Sequence, residues 1–274
     1  MIRINDLSFS YGKLKVFDHF NLHVPEGEVC LITGINGVGK STLLRLIAGV
    51  LKPAAGEIIF SEKMTDEPRR KIGFISDILS LYESLTAAQA IALHKSVYNI
   101  TSFEDSLIKL TKIGLKQKIK ELSTGQKTIL HLSLILSTEP EVLLIDEIIH
   151  SIDAYLRRLF LQQLIKLQSQ RNITIIMVNL NFHDIEHIVE RVILIKEGKI
   201  AVDEKIDALK AKVKKIVSMD RPQSLPIVSQ IDYSDHSEFF IYPYEGGLDN
   251  RIGGEVTSLN LTEIVSAFIG GEYA

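Results

Sequence analysis

Val29-Cys30-Leu31-Ile32-Thr33-Gly34-Ile35-Asn36-Gly37-Val38-Gly39-Lys40-Ser41-Thr42 is the stretch that decides the fold. Gly34, Gly39, Lys40 and Ser41 fill the pattern G-x-x-x-x-G-K-[ST] of a phosphate-binding loop. The flanks agree with it: Val29–Thr33 is an apolar run suited to a buried strand, and Thr42–Ala48 opens a helical pattern. Glycines at 34, 37 and 39 let the backbone curl so that successive N–H groups point inward, while the helix start adds the positive end of its dipole. Lys40 can then reach the outer phosphates of a nucleotide, and the Ser41 hydroxyl can ligate Mg²⁺. A chance glycine-rich turn is the rival, and a strand before with a helix after argue against it. The stretch implies a nucleoside triphosphate site.

Upstream, Phe20, Leu22 and Val24 alternate with Asn21 and His23, which places β-structure within residues 2–24. Pro25–Glu28 then makes a turn. Downstream, Lys52–Gly56 breaks the chain, and short strands are predicted at Glu57–Phe60 and Ile72–Ile75. From Thr86 to Glu121 the pattern is helical, with a capping box expected at Thr101/Glu104. A helix at Thr128–Leu136, a strand at Val142–Ile145, a helix at Ala154–Gln168 and a strand at Ile173–Val178 follow. A helix near Asp184–Glu190 and a strand at Val192–Lys196 complete an alternation that argues for an α/β fold with a mostly parallel core sheet. Past about Asp203 the pattern changes. The last sixty or so residues read as a small α+β appendage, strand-like at Phe239–Pro243 and helical at Leu261–Ile269.

The bulk numbers are compatible with one large domain plus a small addition: 274 residues, 46% hydrophobic, 24% charged. A net charge of −3 gives no reason to expect nucleic-acid binding. Cys30 is the single cysteine and lies in the apolar strand before the loop, so a packing role and a reducing compartment are expected. No run approaches the roughly 18 apolar residues of a membrane span, and the N-terminus lacks the layout of a signal peptide. Any membrane role is expected to come through a partner.

Two further stretches carry chemistry. Val142-Leu143-Leu144-Ile145-Asp146-Glu147 ends a buried strand on two carboxylates, and ligands of parallel sheets gather at the carboxyl ends of strands. Asp146 suits Mg²⁺, and Glu147 suits orienting or deprotonating an attacking water; a solvated loop acid is the plainer reading of Glu147. Leu122-Ser123-Thr124-Gly125-Gln126 precedes a helix. By itself it implies an N-capping serine, and with a phosphate to hold it becomes a second anion-binding surface.

The order GINGVGKS, LSTGQ, VLLIDE resembles the nucleotide-binding domain of ATP-binding cassette (ABC) proteins, over residues 2 to about 205. LSTGQ is similar to the LSGGQ signature of that family, and Ser151-Ile152-Asp153 to its D-loop. Tyr11 falls where an aromatic stacks on adenine, though a plain strand tyrosine explains it equally well. The resemblance implies a P-loop NTPase fold: a parallel core sheet, an antiparallel β subdomain and a helical insertion at about 86–137. The cassette would be residues 1–205 and the appendage 206–274. It implies ATP and Mg²⁺ as ligands, held by Tyr11, Gly34, Asn36, Gly37, Gly39, Lys40, Ser41 and Thr42, with Ser41, Asp77 and Asp146 around the metal. It implies Lys40 and Glu147 as catalytic groups, and Ser123, Thr124, Gly125 and Gln126 facing the nucleotide of a second cassette. Partners would be that cassette, as homo- or heterodimer, and a separate membrane permease contacted by the helical insertion. The location would be the cytoplasmic face of the cell membrane.

The sequence departs from the family pattern at two positions. Asp77 stands where Gln is usual, and Leu180 where a histidine contacts the γ-phosphate, with His183 three residues on and Asn179 and Asn181 alongside. Thr124 for Gly is a milder change. Hydrolysis is therefore expected to be slow at this half-site, or His183 to substitute, and a nucleotide-dependent switch with little hydrolysis is the runner-up. His183-Asp184-Ile185-Glu186-His187 matches the H-x-x-E-H pattern of inverted zinc proteases, but falls on what reads as an ordinary helix after a core strand. Cassettes of translation or DNA repair are the other class, and those resemble tandem cassettes or cassettes split by coiled coils. From Ser258 through Glu272 the tail resembles cassettes serving multidrug, antibiotic and bacteriocin exporters, although a plain docking helix fits it nearly as well.

Overall fold

The computed structural model describes residues 1–61, 64, 67–76, 79–103, 105–148, 152–178, 182–222, 225–245 and 255–270. Asp77, Glu104, Ser151, Asn179, Leu180, Asn181, Gly271 and Glu272 lie outside them.

In chain order the elements are β1 (Ile2–Tyr11), β2 (Leu14–Val24), β3 (Val29–Thr33), α1 (Lys40–Ile47), β4 (Ala55–Phe60), β5 (Ile72–Ile75), α2 (Ala87–Tyr98), α3 (Ser106–Leu110), α4 (Thr124–Leu136), β6 (Val142–Asp146), α5 (Ala154–Arg171), β7 (Thr174–Val178), β8 (Arg191–Lys196), β9 (Lys199–Lys205), α6 (Ile206–Lys212), β10 (Lys214–Ser218), β11 (Ile227–Asp232), β12 (Ser237–Ile241), β13 (Glu255–Ser258) and α7 (Leu261–Ile269). They form a six-stranded sheet in the order β5-β6-β7-β3-β8-β9, and two smaller sheets, β2-β1-β4 and β11-β12-β10-β13. In the large sheet every pairing is parallel except β8–β9, and both small sheets are antiparallel.

The central strands β3, β6 and β7 are buried along their whole length, as a parallel sheet covered on both faces requires. Their side chains alternate between two apolar layers. Cys30, Ile32, Leu144, Ile176 and Val178 pack with Leu43, Leu44 and Ile47 of α1 and with Ile4, Phe17 and Phe20 of the antiparallel sheet. Leu31, Leu143, Ile145, Ile175 and Met177 pack on the opposite side against Ile129 and Leu130 of α4 and Phe160 and Leu164 of α5. Each such side chain contributes roughly 1.5–3 kcal/mol by leaving water, so the sheet holds its strand ends against a rigid floor. Arg191 fastens the sheet's rim, with Nε and Nη2 on Asp203 at 2.5 and 2.8 Å and Nη1 on Glu28 at 3.1 Å. Cys30 is buried, which pushes its thiol pKa up and suits the packing role expected of it.

The appendage has a small core of its own at Ile216, Phe239 and Ile241. Its helix does not stay with that core: Leu261, Ile264, Val265 and Ala267 of α7 join the main apolar cluster with Val202, Ile206 and Leu209.

Three expectations need correction. The segment predicted as a helix near Asp184–Glu190 is a run of turns over 183–188; Ile185 and Val189 are buried beneath it, so the i, i+4 spacing marks packing without a continuous helix. The helix expected to start at Thr101 begins instead at Ser106, with Asp105 at its N-cap position. The helix predicted from Thr128 starts at Thr124, inside the LSTGQ stretch. The H-x-x-E-H stretch, read from the sequence as ordinary surface, lies on the turns over 183–188, where Glu186 pairs with Lys210.

Candidate functional site

The loop between β3 and α1 is shaped by three left-handed glycines, Gly34 (φ 143°), Gly37 (φ 81°) and Gly39 (φ 111°). Two of them also need the absence of a side chain. A Cβ on Gly34 would lie 2.2 Å from the carbonyl oxygen of Ile195, and one on Gly39 would lie 2.6 Å from Val16 Cγ1. The loop is therefore pressed onto β8 and β2, with Asn36 and Gly37 exposed at its crest.

Lys40 heads α1 and is 5% exposed. Its ammonium donates to the carbonyl oxygens of Gly34 at 2.9 Å and Ile35 at 3.1 Å, so the side chain folds back across the loop's mouth. Burial lowers its pKa, while the carboxylates of Glu147 and Asp146 act in the opposite direction. The start of α1 carries no side-chain cap, because its N-cap residue is Gly39. Its first N–H groups are thus left for an acceptor from outside the helix, the arrangement that suits phosphate.

Next to Lys40, the Ser41 hydroxyl donates to Asp146 Oδ1 at 2.9 Å across 105 residues of sequence. Asp146 is 3% exposed at the end of β6. A hydroxyl and a carboxylate held together are hard oxygen donors, a set that fits a small hard cation completed by phosphate and water. Glu147 follows, half-buried, in left-handed backbone at φ 47°, its N–H bonded to Val178 O at 3.0 Å. For a residue with a Cβ that conformation costs about 1–2 kcal/mol, and strain of this kind collects where a side chain must be aimed.

Lys40, Ser41, Asp146 and Glu147 are thus brought together, with Thr42 buried in the first turn of α1. Tyr11 ends β1, 45% exposed and edge-on to Phe9 at 4.9 Å, leaving much of its surface open to solvent. Ser123, Thr124, Gly125 and Gln126 occupy another place, the start of α4. There Ser123 Oγ accepts from Gln126 N at 3.2 Å, and Gln126 Oε1 accepts from Ser123 N at 3.1 Å, a reciprocal capping box. Ser123 and Thr124 are exposed, whereas Gly125 is buried. A Cβ at Gly125 would lie 2.4 Å from Leu156 Cδ1, so the first turn of α4 rests directly on α5.

Sequence reasoning missed the groove beside the loop, about 400 Å³, which adds Leu14, Lys15, Val16, Asp18 and Glu197–Lys199 to Ile35–Val38. Strand alternation carries no mark of it. The one available hint was Gly198, whose Cβ would lie 2.5 Å from Val16 O.

A family model described as ABC transporter matches residues 17–150. The bacitracin transport ATP-binding protein BcrA of Bacillus licheniformis is 30% identical over 259 residues, covering 89% of this chain and 85% of its own. The energy-coupling factor transporter ATP-binding protein EcfA1 of Oenococcus oeni is 33% identical, covering 76% of this chain and 80% of its own. Among solved structures, cbiO1 from Clostridium perfringens, described as part of the ABC transporter complex cbiONQ, superposes with a TM-score of 0.62 at 27% identity, over 75% of this chain and 88% of that one. With that identity and coverage, the chain belongs to the ABC transporter family as an ATP-binding cassette with the P-loop ATPase fold.

Proposed function

We propose that this chain is the ATP-hydrolysing subunit of an exporter, working as a dimer of cassettes on a separate permease at the cytoplasmic membrane face. One observation carries the chemistry. The buried Lys40 and the Ser41–Asp146 pair meet at the uncapped start of α1, with Glu147 strained into place beside them. On this reading Lys40 leaves the carbonyls of Gly34 and Ile35 for the outer phosphates, and the loop N–H groups hold the rest. Ser41 and Asp146 hold Mg²⁺, which when bound supplies charge neutralisation on the phosphate oxygens. Glu147 orients the attacking water and takes its proton. Tyr11 offers a face for adenine, and Ser123–Gln126 cap the nucleotide of the partner cassette.

Several observations support the assembly. Leu93, Val97 and Tyr98 stand exposed on α2, with Leu110 and Leu115 exposed in the same helical insertion, a surface of the kind that meets a partner. Among the described residues no helix is long and apolar enough to cross a membrane. Export is favoured over import by the tail, whose residues from Ser258 on resemble those of cassettes serving exporters. The division at residue 205 remains part of this proposal, with α7 as the element that binds the appendage to the cassette.

Purified complex should turn over ATP with Mg²⁺ and lose turnover with a chelator; no turnover under either condition overturns the reading. Leu180, where the family pattern has histidine, favours a second reading in which this half-site switches with little hydrolysis. Turnover raised by Leu180→His supports it, and turnover lowered by His183→Ala assigns the task to His183.

A further inference from the structure

The guanidinium of Arg157 holds two loops at once. Arg157 stands on the first turn of α5, its N–H bonded to Asp153 O at 2.9 Å. Its Nη1 donates to Asp184 Oδ2 at 2.5 Å, and its Nη2 to the carbonyl oxygen of Ile152 at 3.3 Å. The two charged side chains are 25% and 30% exposed, so the pair is less screened than one on the open surface. A planar fork can span two acceptors in this way, and a lysine ammonium cannot do so with the same rigidity.

The value of the contact lies in what stands at each end. Ile152 and Asp153 open α5, in the stretch that resembles the D-loop. A Cβ at Gly125 would lie 3.6 Å from Ile152 Cγ2 and 3.7 Å from Asp153 Oδ2, so the exposed tip of α4 rests on this same turn. Asp184 belongs to the turns that follow β7. The last residue of β7, Val178, accepts the backbone hydrogen bond of Glu147. On their far side those turns are tied to α6 by the Glu186–Lys210 pair. Arg157 therefore joins the support of the α4 tip to the segment beyond the strand end that backs Glu147.

We propose that Arg157 is a positioning residue which keeps the α4 tip, facing one nucleotide, in register with Glu147, facing the other. The inference rests on the dimeric ATPase reading above. Because Arg157 is placed against protein groups and not against nucleotide, its loss should lower kcat and leave ATP affinity alone.

The test is steady-state turnover and ATP binding of the full transporter complex carrying Arg157→Ala, Asp184→Asn, both together, or Arg157→Lys. Arg157→Ala should lower kcat about tenfold or more, as small misplacements near chemistry do, with ATP affinity unchanged within about twofold. Asp184→Asn should lose part of that rate. The double variant should be no slower than Arg157→Ala alone, since the two side chains act as one unit. Arg157→Lys should recover only a fraction, because a point charge cannot serve both acceptors. Should Arg157→Ala fail to fold, Asp184→Asn carries the test, as it leaves the arginine in place. Turnover near wild type in every variant, a loss that follows ATP affinity, or losses that multiply in the double variant would each overturn the proposal. A wild-type complex that binds ATP without turning it over overturns the underlying ATPase reading instead, and is recognised before any variant is measured.

Discussion

Two helix starts in this molecule look alike in sequence and are finished differently. At α1, Gly39 leaves the first turn without a side-chain cap, and the one long polar side chain there, Lys40, is buried and folded over the loop. At α4, Ser123 and Gln126 cap each other, and the serine and Thr124 face solvent. An uncapped start holds its N–H groups ready for phosphate, while a self-capped start is complete without a ligand and lends its hydroxyl and the N–H groups of Thr124 and Gly125 to whatever is pressed against it. The difference fits a site divided between two chains: one half buried and set by the sheet, the other exposed and set by the helix's own turn.

The largest effect that could break this contrast is expected at Glu147. Glu147→Gln should lower turnover by at least about a hundredfold, the usual scale for losing a general base, with ATP still bound; near-normal turnover would remove the buried half from the chemistry. Lys40→Ala should weaken ATP binding by about ten- to a hundredfold, the worth of a charge-assisted hydrogen bond to phosphate, read by equilibrium titration with nucleotide.

A pH experiment sharpens the other half. His131 of α4 lies beside His94 of α2, and burial with the neighbouring imidazole lowers its pKa to about 4 from the ordinary 6.5. The unfolded chain therefore binds the proton first as pH falls. The contribution is fully present above pH 6.5 and is lost as pH drops toward 4, up to about 3 kcal/mol. Denaturant unfolding of the wild type and of His131→Gln at pH 7 and pH 5 should show most of that slope gone in the variant; burial lowers the pKa of His94 as well and leaves a remainder.

The smallest effect separates capping from catalysis. Thr86 and Gln89 form the same box at α2 as Ser123 and Gln126 at α4. Thr86→Ala and Ser123→Ala should each cost about 1 kcal/mol of stability. Only Ser123→Ala should also slow ATP turnover in the complex. Equal turnover in the two would reduce the α4 tip to an ordinary helix cap.

Much of the buried half was readable because its chemistry is local. The strand, glycines, Lys40 and Ser41 are contiguous, and Asp146 and Glu147 end an apolar run whose only stable place is a covered sheet. What escaped depends on contacts across the fold. Glycine at 125 is required by Leu156, and glycine at 39 by Val16 and Phe17; neither neighbour is marked in the pattern. The spacing of Ile185 and Val189 is common to a helix and to a chain of turns. Arg157 and Asp184 are 27 residues apart and look like two solvated charges until α5 and the turns after β7 are placed together. The tail read as a separate appendage because its strands do form their own sheet, while the apolar face of α7 found the main core.

The most direct test of the divided site is the mass and nucleotide content of the Glu147→Gln chain, prepared with its permease, with and without millimolar ATP and Mg²⁺. ATP-dependent pairing of cassettes with nucleotide retained, abolished when Ser123→Ala is added, is the expected result. Cassettes that stay single and empty at saturating ATP would contradict it.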